Sequence, residues 1–162
     1  MTDISIVNKS IKSQRKLNVA KFIAIIIAIG IFFRFYNLDH KTYWYDETMT
    51  SVRISGYVSH ELTNEVYNGE AICIENFLEN YQYPNDTKNL NDSIKALAYH
   101  PEHSPLYYLM ARFWLQATGN SIFNIRLLSA LISLLAFPAM YWLTPELFNS
   151  KLVSWLAVCL IA

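Results

Sequence analysis

Asp46 and Glu47 stand side by side behind Tyr43-Trp44-Tyr45, just past the end of an apolar run. Adjacent carboxylates at such a place have two readings. Asp46 can cap a helix while Glu47 favours its positive N-terminal dipole. They can also move protons. A carboxylate beside bulky aromatics, at the edge of a low-dielectric medium, has its proton affinity raised toward that of a working general base. The two readings are compatible, because capping would hold the carboxylate in place. Arg34 lies twelve residues before Asp46, at the outer end of the apolar run. It is either a snorkelling anchor or an anion partner near Asp46. Arg126, early in a later apolar run, has the same two readings. Intramembrane charge is expensive, so Arg126 is expected to contact a lipid phosphate or to pair with an acid of the intervening region. His100, Glu102 and His103 place three potential metal ligands within four residues, between Tyr99 and Pro105. Neutral imidazole and carboxylate suit several divalent cations, although the spacing matches no zinc motif. A solvated loop is the alternative for this trio, and His103 could also face a phosphate as a cation or donor.

The elements that would position these groups follow from hydropathy. The chain has 162 residues, 53% apolar, 15% aromatic and 16% charged. That is too apolar for disorder, and the apolar residues fall in blocks. Residues 1–18 read as a polar, basic cytoplasmic tail. Residues 19–38 are long enough, at about 1.5 Å per helical residue, to cross a bilayer. After the unbroken apolar run Phe22 to Phe33, Arg34-Phe35-Tyr36-Asn37 offers no small-residue cleavage site, so an uncleaved membrane helix is preferred to a signal peptide. Residues 1–21 carry Lys9, Lys12, Arg15, Lys16 and Lys21 against Asp3 alone, whereas residues 39–121 carry eleven acids against five bases. The basic flank predicts a cytoplasmic N-terminus and an extracytoplasmic region 39–121. No basic stripe accompanies the aromatics, which argues against nucleic acid.

Within 39–121, Tyr45, Met49 and Val52 recur at helical spacing, with Asp46, Thr50, Arg53 and Tyr57 on the other face. This predicts an interfacial amphipathic helix over about 44–56, ended near Gly56. Ile74, Phe77, Leu78 and Tyr81 predict a second short helix, broken at Tyr83-Pro84. The Asn-rich stretch to Asp92 reads as an exposed loop. Pro105 suits a first helical position, and about 106–118 reads as a juxtamembrane helix closed by Gly119-Asn120-Ser121. Residues 122–144 form the second span, kinked at Pro138. Residues 145–151 read as a tight polar turn on the cytoplasmic side, and 152–162 as the start of a third span. Eleven apolar residues cannot cross a bilayer, so the chain is expected to be the N-terminal piece of a larger polytopic protein. Cys73 and Cys159 fall in opposite environments, which argues against a disulfide and predicts that each is buried and inert.

Five motifs occur in a fixed order: Arg34-Phe35-Tyr36-Asn37-Leu38, Trp44-Tyr45-Asp46-Glu47, His103-Ser104-Pro105-Leu106-Tyr107-Tyr108-Leu109, Gly119-Asn120-Ser121 and Arg126-Leu127-Leu128-Ser129. In that order they resemble the start of polytopic GT-C glycosyltransferases. The nearest groups are the dolichyl-phosphate-mannose protein mannosyltransferase-like enzymes and the lipid A aminoarabinose transferases. The resemblance spans most of residues 30–151. It implies an all-α integral membrane protein, the N-terminal part of a GT-C-type multi-helix fold with juxtamembrane helices in the first extracytoplasmic loop. It also implies transfer of a sugar from a polyprenyl-phosphate donor to a lipid, glycan or protein acceptor. Asp46 matches the candidate base on the acceptor hydroxyl, and Glu47 the second acid of the pair. Arg34, His103 and Arg126 would serve the lipid phosphate. Glu102, with His100, would serve a divalent metal ion, the one cofactor implied. His103-Ser104 departs from the basic residue and first proline of the aminoarabinose transferases at that place.

Two other classes remain open from the residues. One is a polytopic transporter or flippase whose acidic first loop gates a path. The other is a membrane-anchored binding module. Intramembrane ion-coupling acids would favour the first, and an independently folded region 39–121 the second.

Overall fold

The computed structural model describes the backbone of residues 2–101 and 104–162, and side chains from residue 13 onward. Among the described residues all regular structure is helical. The chain divides into two compact units, residues 37–128 and residues 1–36 together with 129–162.

In the terminal unit, α1 (Thr2–Phe35) is one continuous helix. It stops at Phe35, so the expected span of 19–38 is three residues too long. Asn37 adopts a left-handed backbone, φ 59°, and breaks the helix there. The second apolar stretch is divided. Helix α7 (Ile122–Leu134) ends, and α8 (Ala136–Phe148) begins, on either side of Leu135. Pro138 explains the break, because it has no N–H for the Leu134 carbonyl four residues earlier. Helix α8 runs through Pro145 to Phe148, which corrects the expected turn over 145–151. The actual turn is Asn149-Ser150, with Asn149 left-handed at φ 48°. Helix α9 (Lys151–Ile161) returns along α8, and Tyr141 meets Trp155 with ring centroids 4.9 Å apart. Two stretches, Ser13–Phe35 and Ile122–Phe148, are long and apolar enough to cross a membrane. Their apolar side chains point outward: Phe22, Phe32, Phe33, Trp142, Leu147 and Phe148 are all exposed.

The central unit is built around α2 (Tyr45–Ser55). Ser51, Val52, Arg53, Ile54 and Ser55 are all buried, so every face of its C-terminal half packs against the unit, and Arg53 alone of the five keeps 9% exposure. Gly56 ends it at φ 97°. A Cβ at Gly56 would lie 3.0 Å from the Cβ of Lys88 and 3.3 Å from that of Asp92, so only glycine permits both this turn and this approach. Around α2 pack α3 (Ser59–Val66), α4 (Ile74–Phe77) with the π-helical turn Leu78–Gln82, α5 (Leu90–Tyr99) and α6 (Pro105–Thr118). The apolar core joins Val52, Tyr57 and Tyr81, flanked by Leu62, Val66 and Phe77. Tyr57 and Tyr81 meet edge to face at 4.8 Å. Tyr81 Oη donates to Glu65 Oε2 at 2.7 Å, and burial with this carboxylate pushes its phenol up to about 12.

Helix α5 corrects the expected loop through Asp92. The Asn89 side chain accepts from the N–H groups of Asn91 and Asp92, and Asp92 Oδ2 accepts from Asn89 N at 2.9 Å. Asn89-Leu90-Asn91-Asp92 is thus a reciprocal cap, with the shorter Asp in place of the usual Glu. Cys73 is exposed, against the expectation of burial, and its thiol donates to Glu75 Oε2 at 2.5 Å. Both cysteines are free.

Candidate functional site

The two acids at the start of α2 are separated by the helix geometry. Trp44, not Asp46, is the N-cap residue, which corrects the expected cap. Its extended backbone, ψ 160°, leads into a helix whose second position is Asp46 and third is Glu47. Glu47 reaches back, and its Oε2 accepts from Trp44 N at 3.0 Å. The indole of Trp44 can only donate, so the other arm of a capping box is absent. Thr48 Oγ1 donates to the Trp44 carbonyl at 3.1 Å. Tyr43 is anchored beneath, with Oη 2.5 Å from Ser51 Oγ. Asp46 points to solvent, and among the described residues no side-chain hydrogen bond or ion pair engages it.

Glu47 is held by Arg126. Nε donates to Glu47 Oε1 at 2.7 Å and Nη2 to Oε2 at 2.8 Å, a bidentate pair. The same guanidinium donates to three backbone carbonyls: Leu38 at 2.6 Å, Lys41 at 3.0 Å and Thr42 at 3.2 Å. Its five N–H donors are therefore all used inside the protein. It also lies over the Tyr43 ring, 5.6 Å from the centroid. One side chain thus ties the start of α7 to the turn at 38–42 and to the start of α2. The hydrogen bond from Arg126 holds the Glu47 carboxyl below the usual carboxylate range, against the opposing effect of burial. Of the two partners expected for Arg126, the acid is present as Glu47.

Local chemistry fixes the position of Arg126. Gly119 allows the chain to leave α6, and Asn124 closes the turn. Its Nδ2 donates to the carbonyls of Thr118 at 3.0 Å and Gly119 at 2.8 Å, and its N–H to Ser121 Oγ at 3.1 Å. Trp114 Nε1 donates to the Asn124 carbonyl at 2.9 Å. The Gly119-Asn120-Ser121 motif therefore sets where Arg126 emerges.

A second arginine, which sequence reasoning did not single out, braces the other end of α2. Arg112 on α6 is 3% exposed, and its Nη1 donates to the Ile54 carbonyl at 2.6 Å and to Ser93 Oγ at 2.8 Å. Nη2 donates to the Lys88 carbonyl at 2.8 Å. Ile54 belongs to the last turn of α2, where the helix dipole favours a cation. A third, Arg53, is buried at 9% exposure, and its guanidinium lies 5.9 Å from the Tyr108 ring centroid. Its signal in the sequence is its place seven residues after Asp46, on the same helical face.

The remaining expected site residues lie apart from this cluster or outside the described residues. Arg34, in the terminal unit, donates from Nη2 to the Ile161 carbonyl and lies 5.0 Å from the Phe137 ring centroid. Glu102 and His103 fall outside the described residues. His100 Nε2 is 3.2 Å from Ser59 Oγ. No group of three or more His, Cys, Asp or Glu is arranged to hold a metal among the described residues. His100 is the single described member of its trio.

Searches of family models, curated proteins and solved structures found no match to this chain.

Proposed function

We propose that this chain carries the acceptor-activating part of a GT-C-type glycosyltransferase that uses a polyprenyl-phosphate sugar donor. Asp46 is the general base and Glu47 its structural neighbour. The observation that supports this is the division of labour between the two acids. Arg126 and Trp44 N consume the oxygens of Glu47, while the carboxylate of Asp46 stays exposed at the first turn of a rigid helix. A base must be both held and accessible, and only Asp46 meets both conditions. The ordered motifs from Arg34 to Ser129 supply the reaction class.

In the proposed reaction the Asp46 carboxylate accepts the proton of an acceptor hydroxyl. The hydroxyl oxygen bonds to the anomeric carbon as the bond from that carbon to the phosphate oxygen breaks. The phosphate leaves with the electron pair, and the anomeric configuration inverts. Trp44 and Tyr45 are 74% and 70% exposed beside the base, and would seat it at the membrane interface. The outward apolar side chains of Ser13–Phe35 and Ile122–Phe148 support membrane insertion. By the charge asymmetry, the N-terminus would be cytoplasmic and residues 39–121 extracytoplasmic.

The test is transfer of labelled sugar from polyprenyl-phosphate donors by membranes expressing the gene's whole product. Asp46→Asn should remove transfer with expression intact, a loss of at least about 100-fold for a positioned base. Undiminished transfer by Asp46→Asn would remove Asp46 as the base.

A further inference from the structure

Arg53 is a buried cation that no acid neutralises among the described residues. It sits at 9% exposure on the enclosed half of α2. Its guanidinium lies 5.9 Å from the centroid of the Tyr108 ring. Among the described residues no hydrogen bond or ion pair reaches its guanidinium. Arg112 and Arg126, by contrast, spend their donors on backbone carbonyls, Ser93 and Glu47. Nε of Arg53 is sealed from solvent without a partner. The two terminal nitrogens are also unbonded but are not sealed in this way, so the outer edge of the guanidinium can be reached. A planar, permanently charged fork in that state is preorganised for an oxyanion. An aromatic ring alone is a weak partner for a cation taken out of water.

The placement says which oxyanion. Arg53 follows Asp46 by seven residues, which returns it to the same face of α2 about 10 Å along the axis. A reacting sugar ring with its phosphate spans a distance of that order. We infer that Arg53, against Tyr108, is the binding residue for a phosphate mono- or diester, the anionic group that leaves when Asp46 activates the acceptor. The assignment of a lipid-borne phosphate rests on the glycosyltransferase reading, whereas the oxyanion site rests on the geometry of Arg53. Arg126 spends its donors on Glu47 and the carbonyls of Leu38, Lys41 and Thr42.

The experiment is equilibrium binding to the whole protein in detergent micelles, read by 31P resonance. One arm uses a short-chain polyprenyl monophosphate and the other inorganic phosphate. Wild type should bind the lipid phosphate, and Arg53→Gln should weaken it roughly tenfold or more, the loss expected for a charge-assisted pair. Arg53→Lys should restore part of the affinity. The thermal midpoint of unliganded Arg53→Gln should equal or exceed that of wild type, because an unpaired buried charge has been removed. Equal affinity in wild type and Arg53→Gln, or no lipid-phosphate binding by folded wild type, overturns the proposal. Binding of inorganic phosphate without the lipid phosphate overturns the lipid assignment. Should Arg53→Gln fail to fold, Arg53→Lys decides: affinity unchanged from wild type would mean that the fork geometry is not used, and overturns the site. Sugar transfer is not read here, so failure leaves Asp46 as a base standing, and failure of Asp46→Asn leaves this site standing.

Discussion

Removing Arg126 separates structural from chemical roles at the acid pair. Arg126→Met deletes two bonds to Glu47 and three to the carbonyls of Leu38, Lys41 and Thr42. Hydrogen bonds to a charged group contribute about 1.5–3 kcal/mol each, but five on one side chain do not add. Breaking a buried pair by removing one partner costs about 3–5 kcal/mol. Arg126 is only 10% exposed but Glu47 is 31% exposed, so water recovers part of the loss. The expected destabilisation is therefore about 2–4 kcal/mol. Glu47→Gln keeps one acceptor and the Trp44 bond, and should cost about 1–2 kcal/mol. Because the two groups form one unit, the double variant should cost less than the sum, with a coupling of about 1–2 kcal/mol. Arg126→Lys keeps charge but not the fork, and should fall between wild type and Arg126→Met. The assay is reversible unfolding of the whole protein in micelles, followed by near-ultraviolet circular dichroism. A chain of this size loses about 2–4 °C of midpoint per kcal/mol. Additivity of the two single variants within about 0.5 kcal/mol would refute the idea that Arg126 and Glu47 act as one staple.

Other consequences are as direct. The Glu47 carboxyl is held below its ordinary 4.5, so its stabilisation is present above that pH and is lost as pH falls through the lowered folded value. A pH series of unfolding midpoints should show this loss in wild type, and Glu47→Gln should flatten it. Gly56→Ala forces φ 97° on a residue with a Cβ that meets Lys88 at 3.0 Å. It should cost about 1–2 kcal/mol from the left-handed backbone alone, measured in the same unfolding assay. Arg112→Met removes the donors to Ile54, Ser93 and Lys88, and leaves the Ile54 carbonyl with Ser93 Oγ, at 2.9 Å, as its remaining side-chain donor. A loss of about 2–4 kcal/mol is expected, and faster amide exchange in the last turn of α2 should accompany it. A reporter fused after Phe148 should be cytoplasmic if the membrane orientation proposed above is correct. Reporter activity on the extracytoplasmic side would overturn that orientation.

Local signals made several elements legible. Tyr45, Met49 and Val52 at helical spacing, with Gly56 behind them, marked the helix Tyr45–Ser55 and its end. Pro105 marked the first turn of α6, because proline fixes φ and needs no N–H there. Hydropathy marked the two long apolar stretches. Misreadings arose where a local rule had a competitor. Asn89 to Asp92 looked like a loop from composition, yet the same polar side chains satisfy the free N–H groups of a helix start. Pro145 looked like a helix stop, yet α8 continues past it to Asn149, the left-handed position that ends it.

The amino-acid sequence by itself determined that the chain is helical, that it has two membrane-length apolar stretches, and that an acid pair opens a helix. Those properties depend on hydropathy and backbone preference, which act over a few residues. It could not say which acid of the pair is free. That choice belongs to Arg126, 79 residues further along the chain, whose fork closes on Glu47 once the Asn124 turn has placed it. Nor could it distinguish Arg53 from Arg112 and Arg126, three arginines alike in chemistry. Only packing shows that Arg126 spends all five donors on carbonyls and an acid and that Arg112 is held by two carbonyls and Ser93, while Arg53 is buried without a hydrogen-bond partner among the described residues. Such pairing is set by distances between remote side chains, for which local sequence carries no signal.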